Sequence, residues 1–430
     1  MIDRFFRIKE RNTSLRQEII GGLTTFLTMS YIIFLHPNML AETGMDKGAL
    51  ITITCIASFI GTLIVGIWAN VPFALAPGLG LNSFFTYSVV IGMGVDWQTA
   101  LGAVFISGIL FLILTFSGFR ERVVHAIPLS LRLAVPAGIG LLITFVGLKN
   151  MGLLVSNSST LVQMGEMSTT LIISLLGLLI IIILEIKKIK GSILLGIIFI
   201  VITGMILGHI HVPEVFISSP PSMGPVAFKL NILQALNVGF IGVIFSFLFV
   251  DLFDSIGTII ACAYEAKLVK KDGNISGIEK ILGSDAVSTV IGSLLGTSTI
   301  TTYIESASGI SAGARTGLSS VIVGLLFLIA PFFAPLIQTV PGYATAPALI
   351  IVGIYMFRNI QKINFTDPED GIPAFFTIII MPFTSSISMG LSYGFLSFIF
   401  LKIISGNYKQ LSAILWIIGI LCLANLIITS

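Results

Sequence analysis

Two acidic islands interrupt apolar, membrane-length sequence. One reads Phe249-Val-Asp251-Leu-Phe-Asp254-Ser-Ile-Gly-Thr258; the other reads Gly296-Thr-Ser-Thr-Ile-Thr-Thr-Tyr303-Ile-Glu305-Ser-Ala-Ser-Gly-Ile310. A carboxylate at bilayer depth costs at least ~2.5 kcal/mol even on lenient insertion scales. Three such residues point to contact with a polar solute or a coupling proton rather than to packing alone.

Asp251 and Asp254 are spaced i, i+3 and share one helix face. Ser255 and Thr258, each four residues after one of the acids, extend that polar stripe. The stripe must face a cavity or another helix, because facing lipid would be prohibitive. Two carboxylates this close, if both buried, disfavour double ionisation, which suits proton coupling. The competing reading is a buried hydrogen-bonding pair. Glu305 follows a hydroxyl run of Thr297, Ser298, Thr299, Thr301 and Thr302. In a broken helix such residues satisfy freed backbone groups, and the half-helix N-terminus offers N–H donors to a solute. The alternative role for Glu305 is a structural carboxylate across the break. Asn82 follows a comparable break earlier in the chain and supplies both a donor and an acceptor. Thr28 belongs to a patch with Thr24, Thr25, Ser30 and Tyr31, suited to substrate contact or to interhelical hydrogen bonding.

No lysine or arginine lies deep in any predicted span, which argues against an anionic solute, although helix N-termini alone can serve one. Carboxylates, an amide and hydroxyls suit a neutral planar solute with an N–H-rich edge, and a nucleobase fits. The 32 phenylalanines make a stacking partner available. Phe84, Phe85 and Phe253 are candidates, but core packing is the favoured reading for any single one. An intramembrane aspartyl enzyme would need its two acids face to face, sharing one proton. The i, i+3 spacing on one helix argues against that, and no metal-like or serine–histidine set lies at depth, so no cofactor is expected.

The chain that must position these groups is 55% hydrophobic and 10% charged over 430 residues. Soluble domains average about 25% charged residues, so this is membrane sequence with no room for a separate soluble domain. The N-terminus does not read as a signal peptide. Cys55, Cys262 and Cys422 show no metal-ligand spacing and suggest no disulfide framework. His36, His125, His209 and His211 sit near predicted span ends; His209 and His211 could share a metal, but with no cysteine or further histidine nearby to complete a site they read as plain loop histidines.

Apolar length predicts spans over 18–36, 50–69, 73–90, 99–115, 133–148, 170–186, 192–207, 238–264, 286–295, 300–312, 318–339, 344–357, 372–387 and 389–404. A further apolar stretch covers 412–428 and is either an extra element or a helix lying along the membrane. The run Met381-Pro-Phe-Thr-Ser-Ser reads as a kink in one long helix or a turn between two short ones. Basic clusters at 4–16, 120–122, 187–190, 267–271 and 358–362, with Arg315, all fall on one side, which predicts a cytoplasmic N-terminus. Residues from about 15 to 210 and from about 235 to 405 each give seven segments. An odd number per half makes the halves inverted. The third segment of each half carries a polar or Gly/Pro-rich interruption, Ala74–Asn82 and Gly296–Tyr303. Paired interruptions of this kind mark a carrier's binding site.

The runs Gly22–Phe34, Ala76-Pro-Gly-Leu-Gly-Leu-Asn82, Val250–Thr258 and Gly296–Ser306 resemble those of nucleobase–cation symporters of the xanthine/uracil permease fold. The likeness is strongest to the adenine/guanine/hypoxanthine permease branch and runs over essentially the whole chain. It implies an all-α polytopic protein of about fourteen transmembrane segments in 7+7 inverted repeats. It also implies core and gate domains, with short strands and half-helices at the third and tenth segments. The core would comprise residues 15–118 and 235–340, and the gate residues 130–210 and 341–430. By this resemblance Asn82, Asp251, Glu305, Thr302 and Thr28 contact substrate, and Asp251, Asp254 and Glu305 serve proton coupling. The implied activity is proton-coupled uptake of purine bases, guanine and hypoxanthine foremost, across the plasma membrane, with a homodimer through the gate. The partners are then a purine base, a proton and membrane lipid, with no nucleic acid and no metal. Rival solutes on the same fold are uracil, xanthine or a small anion.

Overall fold

The computed structural model describes residues 2–117, 126–269 and 275–429. Arg120, Arg122, His125, Lys270 and Lys271, which entered the reading above, lie outside them. Among the described residues, nine helices are long and apolar enough to cross a membrane, and shorter apolar helices complete the set.

The first segment is two helices, α1 (Leu15–Met29) and α2 (Ile32–Ala41), broken at Ser30–Tyr31. After α3 (Lys47–Ile64) comes the first interruption: strand β1 (Leu75–Pro77), then the half-helix α4 (Leu79–Ser83), which continues as a π-helix over Phe84–Gly92. Helices α5 (Trp97–Phe116), α6 (Leu129–Asn150), α7 (Thr169–Ile186) and α8 (Ser192–Ile206) complete the first half. A short hairpin of β2 (Leu154–Asn157) and β3 (Leu161–Met164) joins α6 to α7. The second half runs α9 (Ile241–Glu265), α10 (Ile278–Leu295), strand β4 (Ile300–Thr302), half-helix α11 (Ser306–Ser311) and α12 (Gly317–Ile329). It continues through α13 (Gly342–Phe357), α14 (Pro368–Thr384) and α15 (Ile387–Ile404), and α16 (Ala413–Thr429) follows.

Local chemistry sets many of the helix starts. Asp46, Asp96, Ser168, Asp367 and Ser386 each accept a backbone N–H of the first turn. The ambiguous run after Met381 is a turn, with Ser385 in the left-handed region at φ 51° as the C-cap of α14. The predicted span 286–295 is corrected: α10 starts at Ile278, after Gly277 at φ 75°, and is a full membrane-length helix. Glu279 and Lys280 in its first turn made that stretch read as a loop.

The two interruptions meet. β1 and β4 pair antiparallel in the register Leu75↔Thr302, Ala76↔Thr301 and Pro77↔Ile300. Gly78 N–H bonds Thr299 O at 3.0 Å and Tyr303 N–H bonds Ala74 O at 2.9 Å, so the ladder runs past both strands. Backbone cannot be left unpaired at membrane depth, and each half supplies what the other lacks. Support from behind is also symmetric. The Thr62 hydroxyl on α3 donates to Leu75 O and accepts from Leu75 N–H, both at 2.9 Å. Thr289 on α10 does the same for Ile300, at 3.0 and 3.2 Å. Leu75 and Ile300 are the first residues of their strands, so one device is repeated in both halves, as the 7+7 inverted-repeat fold requires.

Elsewhere α6 packs against α13 so closely that a side chain on Gly353 would lie 2.5 Å from Gly140 O. Glu18, fully buried on α1, accepts the N–H groups of Arg315 (2.8 Å), Thr316 (3.4 Å) and Ser319 (3.2 Å), capping α12 from across the molecule. The outward side chains of α7, Ile172, Leu176, Leu179 and Ile183, are exposed and apolar, as a lipid-facing surface must be.

Candidate functional site

The strand pair is the floor of the site, and the polar side chains converge on it. Glu305 is the residue before α11 and accepts a hydrogen bond from the Tyr31 hydroxyl at 2.5 Å. Tyr31 comes from the break between α1 and α2, so that break has a purpose: it aims a phenol at the carboxylate. Tyr303 donates to Pro77 O at 2.5 Å, tying the second interruption to the first. Asn82 on α4 is fully buried, and its Oδ1 accepts from Ser298. The Asn82 amide nitrogen has no hydrogen-bond partner among the described residues, nor does the buried Thr299 hydroxyl.

On α9, Asp251 is buried, with Ser255 at 3.4 Å from one carboxylate oxygen and Thr289 at 3.5 Å from the other. Thr289 therefore touches both the acid and the strand. Asp254 interacts electrostatically with Asp285 and Glu305. Asp254 and Glu305 are half-buried and keep partial accessible surface. Thr302 donates to Asp285 Oδ1 at 3.2 Å. The structure thus brings together Asn82, Asp251, Asp254, Thr302 and Glu305. The Thr28 hydroxyl turns back onto its own helix, donating to Thr24 O (3.1 Å) and Thr25 O (2.9 Å).

Two expectations change, at His36 and at the first turn of α11, and the favoured core reading of the phenylalanines stands. His36 is not a loop histidine: it lies inside α2, fully buried, with Nε2 2.6 Å from the Thr297 hydroxyl. The first turn of α11 holds no spare donors at Ser306, Ala307 and Ser308, whose N–H groups bond Tyr303 O, Ile304 O and Glu305 O. Phe84 packs on Phe247 (centroids 4.7 Å apart) and Phe253 on Phe249 (4.6 Å), and Phe84 and Phe85 are fully buried, so all three read as core. Asp285 was missed, although it is fully buried and in the acidic cluster. Its signal was the stripe Ser284, Asp285, Ser288, Thr289 and Ser293, which keeps helical spacing.

An inverted-repeat pair with crossed interruptions and buried polar groups at their junction defines a membrane carrier. The solved structures agree on the fold. The transmembrane domain of a cyanobacterium bicarbonate transporter, BicA, matches with TM-score 0.67 at 15% identity, covering 87% of this chain and 97% of that one. The murine anion transporter Slc26a9 matches with TM-score 0.65 at 11% identity, over 91% and 69%. The sequence then narrows the class. The permease family pattern matches residues 16–392. The Escherichia coli adenine permease AdeP is 42% identical over 428 residues, 99% of this chain and 96% of its own. The Bacillus subtilis guanine/hypoxanthine permease PbuG is 43% identical over 424 residues, 96% of each. The chain belongs to the nucleobase permease family; it is a multi-pass membrane transporter and not an enzyme.

Proposed function

We propose that this protein takes up purine bases, guanine and hypoxanthine foremost, in symport with protons across the plasma membrane, with its N-terminus in the cytoplasm. The observation that supports this most directly is a buried polar junction formed by both halves: the Glu305 carboxylate held by Tyr31, and an Asn82 amide nitrogen with no hydrogen-bond partner among the described residues. With Tyr31 on Oε1, Glu305 keeps Oε2 and a lone pair of Oε1 for two parallel N–H groups of a purine edge. Asn82 adds a donor for a ring or exocyclic acceptor. Thr302 and Asp251 complete the substrate contacts, whereas Thr28 could join them only by giving up its bonds to Thr24 O and Thr25 O. Asp251, Asp254 and Glu305, with Asp285 beside them, give a proton several neighbouring carboxyl oxygens to occupy, so that base and proton share one site.

Rocking of the core (15–118 and 235–340) against the gate (130–210 and 341–430) would carry this fixed site between the two faces, with dimerisation through the gate. The names of the relatives, adenine permease and guanine/hypoxanthine permease, agree in solute class. The test is uptake of radiolabelled hypoxanthine in cells lacking their own purine permeases, with guanine, adenine, xanthine and uracil as competitors, with and without a protonophore. Saturable uptake blocked by guanine and abolished by the protonophore is expected. Failure to take up any base, with the protein present in the membrane, overturns the reading.

A further inference from the structure

We infer that α16 is a fifteenth transmembrane span, seated on α15 and closing over the start of α9, so that the chain leaves it on the face opposite the Lys402–Lys409 turn. The seven-plus-seven repeat ends with α15, and the family match ends at residue 392. Nothing in either assigns α16 a place.

Three contacts fix its course. Leu415 lines one cavity with Phe398 and Lys402, near the C-terminal end of α15. A side chain on Gly419 would lie 2.5 Å from Ile399 Cδ1. Asn425 Nδ2 donates to Ser392 Oγ at 3.1 Å, near the start of α15. Position on α15 falls steadily as position on α16 rises, so the helices run antiparallel side by side over most of their length. α15 is itself long and apolar enough to cross the membrane. A helix that tracks it end to end occupies the same slab, and 17 residues at 1.5 Å per residue reach about 26 Å.

The faces of α16 agree with this course. Leu415, Ile418, Cys422 and Asn425 are buried, at the 3-4-3 spacing of a packing seam. Trp416, Ile417, Ile420, Leu423 and Ile427 are exposed and apolar. The helix carries no charge. A helix lying in the interface would present a charged face to water, and α16 has none to present. Its single amide, Asn425, is turned inward to Ser392 and packs on Gly242 at the start of α9, where an added Cβ would stand 2.0 Å from Asn425 Oδ1. The glycine makes room for that contact.

The test brackets the helix in the full-length chain. One version carries Lys409→Cys and another a cysteine tag appended after residue 430. The native Cys55, Cys262 and Cys422 are buried and serve as background. A membrane-impermeant maleimide is applied to intact cells and to permeabilised cells. The expected result is opposite sidedness: one cysteine labels in intact cells, and the other rises at least tenfold only on permeabilisation. Labelling of both from the same side overturns the inference and places α16 along the membrane surface. Because the readout is sidedness and not uptake, it stands or falls apart from the purine reading.

Discussion

Replacing Glu305 by glutamine keeps its shape and removes its charge and half of its acceptor capacity. The Tyr31 hydroxyl lies 2.5 Å from Oε1, so the glutamine carbonyl is held at Tyr31 and its amide group turns away from Tyr31. A purine edge offering two N–H groups then meets one carbonyl lone pair and one N–H₂. One hydrogen bond to a charged acceptor is lost, worth about 1.5–3 kcal/mol, and one buried donor is left facing another donor, at about 1–3 kcal/mol. Taking the lower half of each range gives ~3 kcal/mol, or roughly 150-fold in Kd. Equilibrium binding of labelled hypoxanthine to detergent-solubilised protein reads this directly, with size-exclusion elution as the check on folding. Glu305→Asp, which keeps charge but shortens reach, separates charge from geometry. A Glu305→Gln protein that elutes normally and binds within threefold of the unaltered one would refute Glu305 as the group that reads the base edge.

Asp251→Asn should uncouple uptake from the proton gradient. Accumulation that still collapses with a protonophore would remove Asp251 from coupling. Thr62→Val and Thr289→Val each strand one N–H and one C=O at the head of a strand, at a cost of ~2–4 kcal/mol. The two should lower the thermal midpoint in detergent by similar amounts, and an effect confined to one of them would contradict the repeated support. Glu18→Ala removes the acceptor of three N–H groups at the start of α12 and should cost at least ~2 kcal/mol of stability. A midpoint unchanged within a degree would show the cap to be dispensable.

The membrane spans were legible because apolar length is a local property. So were the two interruptions, because Pro77, Gly78 and Gly80 in one half and the threonine run in the other break an apolar pattern that otherwise holds. Asp251, Asp254 and Glu305 stood out as carboxylates in apolar surroundings. Asp285 did not, because Glu279 and Lys280 precede it within two turns and gave the stretch the look of a loop. His36 was misplaced because Pro37 follows it; the helix tolerates Pro37 and runs on to Ala41. The strand pairing was inferred only through resemblance. Three residues carry no period that could identify a strand, and their partners lie 223 to 227 positions away in the chain.

That distance explains why the site sits where it does. A three-residue strand at membrane depth has no stability of its own, and its backbone groups have no water to bond. β1 and β4 can exist only against each other, with Thr62 and Thr289 closing their first residues from behind. The junction therefore forms only when both halves of the chain are folded and docked. Asn82–Ser298, Tyr31–Glu305 and His36–Thr297, side-chain pairs beside it, each take one partner from each half. Thr289 then links that junction to Asp251, since the hydroxyl that holds Ile300 also faces the carboxylate. A shift of α9 or α10 that moved Asp251 relative to Thr289 would act on the strand end that positions Thr301, Thr302 and, through Tyr303, Glu305. The proposed base contact and the acid cluster are thus joined through Thr289, which holds the ladder at Ile300 and faces Asp251.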